Sequence, residues 1–402
     1  MVKIEPFALE IWMDKFEKDC KYNIAETCCA SISLDKLQEL SEDKTTTILP
    51  SSKILNYGAI RGSESLRGNL SRLYSAKTGN PLPAENILIT PGAIAANHLF
   101  LYSFVGPGDH VICHYPTYQQ LYSIPESLGA EVDLWKAKSE KNWIPDIEEL
   151  KSLIKPNTKL IIINNPNNPT GAVLPKTLLQ NLIDVASTRS PPITILSDEV
   201  YRPVFHSISP MDAEFPPSIL SMGYRNAVST GSMSKAYSLA GIRTGWIASR
   251  NPDIIETCAQ ARDYTTISVS QLDEQVAAFA LSPSTIHALL SRNIQLAKTN
   301  LSILAKFVDR HDDICSWVSP KAGTTAFVRF HREGNAIDSA EFCKRLLDKT
   351  GVLFAPGKES FGDDFEGYVR IGYVCETEVL KGGLDKTKVW LRKEFDDIPL
   401  AA

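Results

Sequence analysis

The chain contains 402 residues, which at roughly 150 residues per domain predicts two or three domains. Apolar residues make up 43% and charged residues 22%, a balance that excludes a largely disordered chain. The 42 basic and 47 acidic residues give a net charge of −5, so the composition lacks the basic excess that is typical of nucleic-acid-binding proteins.

The N-terminal residues do not resemble a secretory signal, because Glu5, Glu10 and Asp14 interrupt the apolar stretch that such a signal needs. The longest apolar runs are far shorter than the roughly 20 residues of a membrane-spanning helix. The eight cysteines contain no CxxC pair, so we expect reduced, mostly buried thiols and no metal site. Together these features predict a cytoplasmic protein without membrane or nucleic-acid partners.

The first 250 residues predict an N-terminal arm followed by a sheet. Phe7, Ile11, Trp12 and Phe16 lie at helical intervals, which predicts a helix and then an irregular segment within residues 1–40. From about residue 51 to 250, short apolar runs alternate with helical stretches, a pattern typical of a mostly parallel sheet covered on both faces. The predicted strands are Ile87–Thr90, His110–Tyr115, Val132–Trp135, Leu160–Asn164, Ile193–Ser197, Ala227–Thr230 and Thr244–Ala248.

The pattern changes after Pro252, where helical segments become longer and predict a separate, smaller α+β domain. The expected elements are helices over 253–280 and 284–310, a strand at Thr325–Phe330, a helix over 338–349, a strand at Tyr368–Tyr373 and a helix over 376–395. We therefore expect an N-terminal arm that packs with the small domain (1–50), a large domain (51–290) and a small C-terminal domain (291–402).

Four polar clusters follow predicted strands, at the edge where open α/β sheets bind ligands. They are Thr90–Ala93, Asn168–Gly171, Asp198–Tyr201 and Ser232–Lys235, the last followed by Gly241–Gly245. The turn at Gly92 leads into a helix, and free N–H groups there form an anion site that a phosphate can approach. Taken alone, this turn is equally typical of an ordinary strand–helix connection.

The side chains in the other clusters have complementary chemistry. A carboxylate such as Asp198 can keep a pyridinium nitrogen protonated, while the Asn168 amide and the Tyr201 hydroxyl can hydrogen-bond a ring oxygen. Lys235 supplies an amine, and Arg243 can clamp an anion. Individually, Asp198 could cap a helix and Lys235 could lie on the surface, but their order in the chain favours one shared site.

The ordered set resembles the fold-type I, pyridoxal-phosphate-dependent enzymes, specifically the class I/II aminotransferase family. The resemblance implies an α/β PLP-dependent transferase fold with a mostly parallel central sheet flanked by helices, plus a smaller α+β domain. The matching motifs are Tyr57-Gly58 with Gly62 and Leu66-Arg67, Gly92-Ala93, Pro116-Thr117-Tyr118, Asn168–Gly171, Asp198–Tyr201, Ser232–Lys235, Gly241-Ile242-Arg243, Pro356-Gly357 and Tyr368–Gly372.

The resemblance implies how the ring and aldehyde of pyridoxal 5′-phosphate are held. Lys235 would be the Schiff-base lysine and then the base and acid that move the substrate's α-proton. Asp198 would pair with the pyridine N–H, and Asn168 and Tyr201 would hydrogen-bond the phenolate oxygen. Tyr118 would stack on the ring face.

The family also implies a phosphate site and two substrate contacts. The phosphate ligands would be the N–H groups after Gly92 (Ala93 and Ile94), Ser232, Arg243 and Tyr57 of a neighbouring subunit. A shared Tyr57 implies a homodimer with shared active sites. Arg370 would grip the α-carboxylate of an amino-acid substrate, and Asn168 would border it. Glu26, and less so His206, is a candidate for the substrate's distal group.

Family membership leaves the reaction open. Amino-group transfer to a 2-oxo acid is favoured, and the alternative is a cyclase, lyase, β/γ-replacement enzyme or oxidase of secondary metabolism. The run Gly92–Asn97 resembles aminocyclopropane-carboxylate synthases and cyclase-like members, and the segments Asp198–His206 and Trp12–Glu26 resemble the capreomycidine-synthase-like branch. The same residues could equally be packing variants without mechanistic meaning.

A binding module is a competing interpretation, since some transcription regulators carry an aminotransferase-like effector domain. Such regulators need a DNA-binding domain ahead of it. Only about fifty residues precede Tyr57 here, and they show neither a winged-helix pattern nor basic charge. The sequence therefore favours an enzyme.

Overall fold

A computed structural model describes residues 4–76, 78 and 80–401. Its helices are α1 (Ala8–Phe16), α2 (Leu34–Leu40), α3 (Glu64–Ser75), α4 (Ala93–Phe104), α5 (Gln120–Ser127), α6 (Ile147–Leu153), α7 (Lys176–Ser187), α8 (Pro252–Arg262), α9 (Gln271–Ala280), α10 (Ile286–Asp309), α11 (Ser339–Thr350), α12 (Gly357–Phe361) and α13 (Thr377–Glu394). No helix in these described ranges is long and apolar enough to span a bilayer.

The strands fall into a large sheet, a smaller one and a short pair. In chain order they are β1 (Tyr22–Asn23), β2 (Ile87–Thr90), β3 (His110–Tyr115), β4 (Glu131–Lys136), β5 (Thr158–Asn164), β6 (Thr194–Asp198), β7 (Ala227–Ser232), β8 (Gly245–Ser249), β9 (Cys315–Trp317), β10 (Thr325–Arg332), β11 (Asn335–Ala336), β12 (Val352–Leu353), β13 (Ala355–Pro356) and β14 (Tyr368–Gly372). Each of the seven strands predicted before residue 250 is present, with bounds shifted by at most two residues.

The large sheet has the order β2-β8-β7-β6-β5-β3-β4. Only β8 runs antiparallel to its neighbours within it. The strands β2, β3, β7 and β8 are buried along their whole length, as expected for a sheet covered by helices on both faces. The prediction of a mostly parallel sheet is confirmed.

The register of the central strands places three polar residues side by side at the carboxyl edge of this sheet. Asn164, the last residue of β5, lies opposite Asp198, the last residue of β6. Asp198 in turn lies opposite Thr230 on β7. Because parallel strands end at the same edge, the turns after β5, β6 and β7 converge there.

The smaller sheet has the order β11-β10-β14-β13, with β9 added to β10. Arg370, in the middle of β14, lies opposite Phe327 on β10 and Ala355 on β13. Both partner residues are fully buried, so the backbone of Arg370 sits in the interior of this sheet.

The N-terminal segment connects the two sheets. Strand β1 pairs in parallel with β12, and the Gly372 N–H donates to the Ile24 carbonyl at 2.9 Å. Five residues on, the Cys29 N–H donates to the Lys235 carbonyl at 3.0 Å, and the Ala30 N–H donates to the Val374 carbonyl at 2.8 Å. Residues 24–30 are therefore fixed between the end of β14 and the loop after β7.

Two details of the sequence prediction are wrong. The single helix expected over 253–280 is divided, because α8 ends at Arg262 and α9 begins at Gln271. The intervening residues are rich in β-branched side chains, Ile267 has a φ of +60°, and the Ser270 hydroxyl caps α9. The segment expected to be irregular after the first helix contains α2, which begins at its cap Ser33.

Packing of residues 24–30 against β14 can be tested at Gly372, where an added Cβ would lie 1.8 Å from the Glu26 carbonyl oxygen. We expect Gly372→Ala to lower the free energy of unfolding by about 1–3 kcal/mol, because the segment must shift. The control is Gly68→Ala in α3, where a Cβ meets no atom within 4 Å. That change should raise the free energy of unfolding by about 0.5–1 kcal/mol. Urea unfolding measures both, and equal effects would contradict the packing described.

Candidate active site

A cavity of about 410 Å³ lies at the carboxyl edge of the large sheet. Eleven of the fourteen residues expected at the site line it, and Gly92, Tyr57 and His206 do not. These eleven are Glu26, Ala93, Ile94, Tyr118, Asn168, Asp198, Tyr201, Ser232, Lys235, Arg243 and Arg370. The cavity therefore brings together residues from both sheets and from the N-terminal segment.

One end of the cavity forms an anion cradle at the start of α4. Gly92 precedes α4 with a φ of +85°, and no side chain caps the first N–H groups of the helix. The Arg243 guanidinium passes so close that a Cβ at Gly92 would lie 2.7 Å from its Nη2, which explains the glycine. Arg243 Nη1 donates to Ser234 Oγ at 3.2 Å, and Ser232 Oγ lies 2.9 Å from Ser234 Oγ. Helix N–H groups, hydroxyls and a guanidinium suit a phosphate.

The buried carboxylate of Asp198 lies deeper in the cavity and is only 3% exposed. Its Oδ2 accepts a hydrogen bond from Asn97 Nδ2 at 2.9 Å, and its Oδ1 accepts from the Val200 N–H at 3.1 Å. Thr230 Oγ1 donates to Asn97 Oδ1 at 2.7 Å and so fixes the amide's orientation. Burial raises the pKa of Asp198 to about 6, against these hydrogen bonds and the charge of Lys235, which lower it. A protonated ring nitrogen beside this carboxylate would stabilise its ionised form.

The amine of Lys235 contacts the N-terminal segment. Its Nζ lies 3.5 Å from Glu26 Oε1 and 3.4 Å from Cys28 Sγ. Burial opposes the charge of the ammonium, but Cys28 and Glu26 beside it raise the pKa of Lys235 above its ordinary value. The amine must lose a proton before it can act as a nucleophile.

Glu26 is held as an anion beside this amine. Its Oε1 accepts hydrogen bonds from the Thr27 N–H at 2.6 Å and the Cys28 N–H at 2.9 Å. Burial opposes ionisation, but the Lys235 ammonium and these hydrogen bonds lower the pKa of Glu26 to about 2. Burial raises the pKa of the Cys28 thiol to about 11, so at neutral pH it is a neutral thiol. Glu26 and Lys235 therefore form an ion pair where the N-terminal segment lines the cavity.

Arg370 is 3% exposed and lies across the cavity floor between the two sheets. Its Nη2 donates to the Ala25 carbonyl at 2.8 Å, and its Nη1 lies 3.4 Å from Asn168 Oδ1. Within the described ranges its Nε is buried without a hydrogen-bond partner. Burial lowers the pKa of Arg370, although the guanidinium remains charged. A buried, incompletely paired guanidinium is a site for a carboxylate.

Two tyrosines complete the wall. Tyr201 follows β6 and is buried, and burial raises the pKa of its hydroxyl. The Tyr118 ring lies in the cavity wall, and its hydroxyl donates to Glu10 Oε1 of α1 at 2.7 Å. The Phe7 ring packs on Tyr118 with 4.8 Å between centroids. Helix α1 therefore covers the aromatic side of the cavity.

Two predicted contacts lie elsewhere in this chain. Tyr57 is 82% exposed and does not line the cavity. His206 is also absent from its lining, and its Nε2 lies 2.6 Å from Tyr373 Oη. Burial lowers the pKa of His206 to about 4, which keeps it neutral at pH 7. His206 is thus a buried packing residue, and its expected contact with a substrate is wrong for this arrangement.

Sequence reasoning missed several residues that shape the cavity. Asn97 and Ser234 lie inside quoted motifs, and a polar residue on the buried face of an apolar helix is the signal that could have found Asn97. Glu10, Glu17 and Cys28 carried no such signal, because only the packing of the N-terminal segment turns them toward the cavity.

The comparisons with known proteins agree with this geometry. Residues 32–386 match the family described as Aminotransferase class I and II. A crystal structure of a PLP-dependent aminotransferase from Streptococcus suis is 41% identical, covers 98% of this chain and 99% of its own, and superposes with a TM-score of 0.86. Capreomycidine synthase from Streptomyces vinaceus is 28% identical (94% of this chain, 91% of that protein). An aspartate aminotransferase from Pyrococcus horikoshii is 29% identical (84% of each).

The chain belongs to the class I/II aminotransferase family. The predicted fold type and the cofactor, pyridoxal 5′-phosphate, are thereby confirmed. The residues present fit that cofactor: the cradle that a Cβ at Gly92 would fill suits its phosphate, and the buried carboxylate of Asp198, whose pKa is raised by burial, suits its protonated ring nitrogen. The protein is therefore a PLP-dependent enzyme.

The raised pKa of Asp198 predicts a stability effect in the cofactor-free protein. The folded state holds this proton more tightly than the unfolded chain, whose Asp pKa is about 3.9. The free energy of unfolding should therefore fall as the pH rises from about 4 to 6, and the loss should remain above pH 6. We expect cofactor-free Asp198→Asn to be more stable than wild type by about 2–3 kcal/mol at pH 7.5, with no difference near pH 4.

The amide introduced by Asp198→Asn can be accommodated, because Asn97 and Thr230 can exchange their hydrogen-bond donor and acceptor roles. Urea unfolding at several pH values is the measurement, with the exposed Asp385→Asn of α13 as the control that should change by less than about 0.5 kcal/mol. A pH-independent difference between wild type and Asp198→Asn would contradict the assignment.

Proposed function

We propose that this enzyme transfers the amino group of an α-amino acid to a 2-oxo acid. The observation that carries the proposal is the shared cavity: the amine of Lys235, the buried carboxylate of Asp198, the anion cradle and the guanidinium of Arg370 all face it. These groups match the reacting carbon, the ring nitrogen, the phosphate and the substrate carboxylate of a pyridoxal-phosphate enzyme.

In this proposal the chain's residues first orient the cofactor. Ser232, Ser234 and Arg243, with the N–H groups of Ala93 and Ile94, would hold the phosphate. Asp198 would accept the ring N–H, and Asn168 and Tyr201 would donate to the ring oxygen. When bound, pyridoxal phosphate supplies an electron sink for the electron pair left on the substrate's α-carbon.

Lys235 would then move the proton. Lys235 Nζ, when it is not bonded to the cofactor, would act as the base that takes the substrate's α-proton and as the acid that gives it back. Arg370 fixes the substrate carboxylate so that the Cα–H bond faces this amine. The Tyr118 ring and α1 cover the cavity and restrict the access of water.

A second candidate is a cyclase or elimination enzyme that begins with the same proton abstraction. It is favoured by the similarity to capreomycidine synthase over 94% of this chain, and by the acidic and thiol side chains that the N-terminal segment places beside Lys235. Here the electron pair on the α-carbon would expel a β- or γ-substituent, and no 2-oxo acid would be needed.

Absorbance titration of the purified enzyme separates the two reactions. For a transaminase, an amino acid should bleach the visible band of the bound cofactor, and a 2-oxo acid should restore it. Lys235→Ala should bind pyridoxal phosphate without that visible band and lose turnover by at least about a thousandfold. The exposed Lys306→Ala serves as the matched control and should behave as wild type. Recovery of the band without any oxo acid would favour the second candidate.

We also propose a homodimer in which Tyr57 reaches the phosphate of the neighbouring site. This is supported by exposed apolar side chains on two segments, Ile54–Ile60 and Tyr264–Ile267, with Tyr264 at 94% exposure. Gln271, four residues after the second segment, donates from Nε2 to Asn56 Oδ1 of the first segment at 2.7 Å. A second copy of the chain would cover these exposed side chains.

Complementation tests whether Tyr57 acts across the dimer. Mixed dimers of Tyr57→Ala and Lys235→Ala chains should regain activity, because one of their two sites combines an intact Lys235 with the partner chain's intact tyrosine. With random mixing this restores about a quarter of the wild-type sites. Tyr57→Ala alone is assayed at low cofactor concentration, where a lost phosphate contact matters most. No recovery in a preparation shown to be dimeric by light scattering would contradict the shared site.

The division into an arm (1–50), a large domain (51–290) and a small domain (291–402) is part of this proposal. It is supported by the two separate sheets and by α10, a continuous helix of 24 residues that crosses the boundary. The pairing of β1 with β12 supports an arm packed on the small domain.

A further inference from the structure

The cavity lining carries more acidic than basic side chains after the residues expected to contact the cofactor and the substrate's α-carboxylate are set aside. The lining contains the acids Glu10, Glu17, Glu26 and Asp198 and the bases Lys235, Arg243 and Arg370. Under the proposed function, Asp198 faces the ring nitrogen, Arg243 the phosphate and Arg370 the substrate carboxylate. Among the described lining residues three carboxylates remain, and Lys235 is the one base left to balance them.

Helix α1 presents two of these carboxylates along one face. Glu10, Met13 and Glu17 are spaced three and four residues apart, so they share a helix face, and all three line the cavity. The two carboxylates are two turns apart at the cavity mouth. Asp14 is exposed on α1 and does not line the cavity, so the acidic lining is a property of one face of this helix.

The third carboxylate, Glu26, lies inside the cavity and loses its partner in the loaded enzyme. It pairs with the Lys235 ammonium at 3.5 Å and accepts hydrogen bonds from the Thr27 and Cys28 N–H groups. When Lys235 carries the cofactor, its nitrogen no longer bears the ammonium that balances Glu26. An anion that is already fixed by two backbone N–H groups is then available to a cation on the substrate.

Arg370 independently indicates a ligand in this cavity. Its guanidinium is buried, and its Nε lacks a hydrogen-bond partner among the described residues. Buried donors of this kind are normally satisfied, so a ligand carboxylate is expected against it. The site therefore has one basic contact for a carboxylate and a separate acidic wall.

We propose that the substrates are α-amino acids with a cationic side chain, an ammonium or a guanidinium, which Glu26 contacts directly and which Glu10 and Glu17 attract at the cavity mouth. This rests on the proposed function. A side-chain carboxylate would face three like charges and no free cation, so dicarboxylic amino acids are poor substrates. Neutral side chains would leave Glu26 unpaired and are intermediate.

Substrate pairs that differ in charge but hardly in shape test this proposal on the holoenzyme. Arginine is compared with citrulline, and lysine with norleucine and 2-aminoadipate, by kcat/KM with a common 2-oxo acid. We expect the cationic member of each pair to react at least about tenfold faster than the neutral one. The 2-aminoadipate reaction should be the slowest of the lysine series.

Glu26→Gln removes the charge but keeps an oxygen that can accept from the Thr27 and Cys28 N–H groups. It should raise KM for arginine about tenfold or more and bring the kcat/KM values for arginine and citrulline to within about twofold of each other. The double variant Glu10→Gln/Glu17→Gln, at the exposed mouth, should raise KM for arginine only two- to fivefold, an effect that salt weakens. Asp14→Asn on the same helix is the matched control and should change neither value.

Calorimetry supplies a readout that does not depend on turnover. 5-Aminopentanoate, pentanoate and glutarate carry a carboxylate and a cationic, neutral or anionic end, but no α-amino group. The holoenzyme should bind 5-aminopentanoate most tightly and glutarate least, and Glu26→Gln should remove most of this order.

Equal kcat/KM values for arginine and citrulline, or a preference for 2-aminoadipate, would overturn the substrate proposal while leaving amino-group transfer intact. If no amino acid bleaches the cofactor band but 5-aminopentanoate still binds in a Glu26-dependent manner, the proposed reaction fails and the cationic subsite stands. If binding shows no dependence on ligand charge, the subsite is refuted whatever the reaction.

Discussion

The structure around the cavity depends on one buried carboxylate, that of Asp198, at the carboxyl edge of the large sheet. Register sets Asn164, Asp198 and Thr230 side by side, and Asn97 of α4 bridges the last two. Such a group is unfavourable in an empty cavity, as the raised pKa of Asp198 indicates. The sheet, helix α4 and the hydrogen bonds to Asp198 therefore form a binding site in which a positively charged ring would stabilise the ionised carboxylate.

The second determinant is the N-terminal segment, which is both structural and chemical. Its backbone pairs with β12 and with the end of β14, and the same few residues direct Glu26 and Cys28 at Lys235. The family motifs of the large sheet line one part of the cavity, and this segment and α1 add the acidic side chains Glu10, Glu17 and Glu26. Under the proposed function, cofactor binding and substrate recognition therefore depend on different parts of the chain.

Much of the fold and of the cavity lining could be predicted from the sequence. The apolar strands could be predicted because continuous β-branched runs carry a local signal. Asp198, Lys235 and Arg243 could be expected at one cavity because they belong to ordered motifs, and their roles stay predictions. The break between α8 and α9 depends on local caps and a positive φ at Ile267, which helical spacing does not encode. Glu10 and Glu17 could not be assigned because tertiary packing alone decides which face of α1 meets the cavity.

The hydrogen bond from Arg370 to the Ala25 carbonyl joins residues 345 positions apart in the chain. Residues near the N-terminus are synthesised first, but they cannot make this contact until β14, near the end of the chain, has been synthesised. Contacts of such high sequence separation form late, because the intervening loop must be closed first. The cavity is consequently among the last parts of the molecule to assemble, and a truncated chain lacking β14 loses Arg370 and the contacts of β14 with residues 24–30.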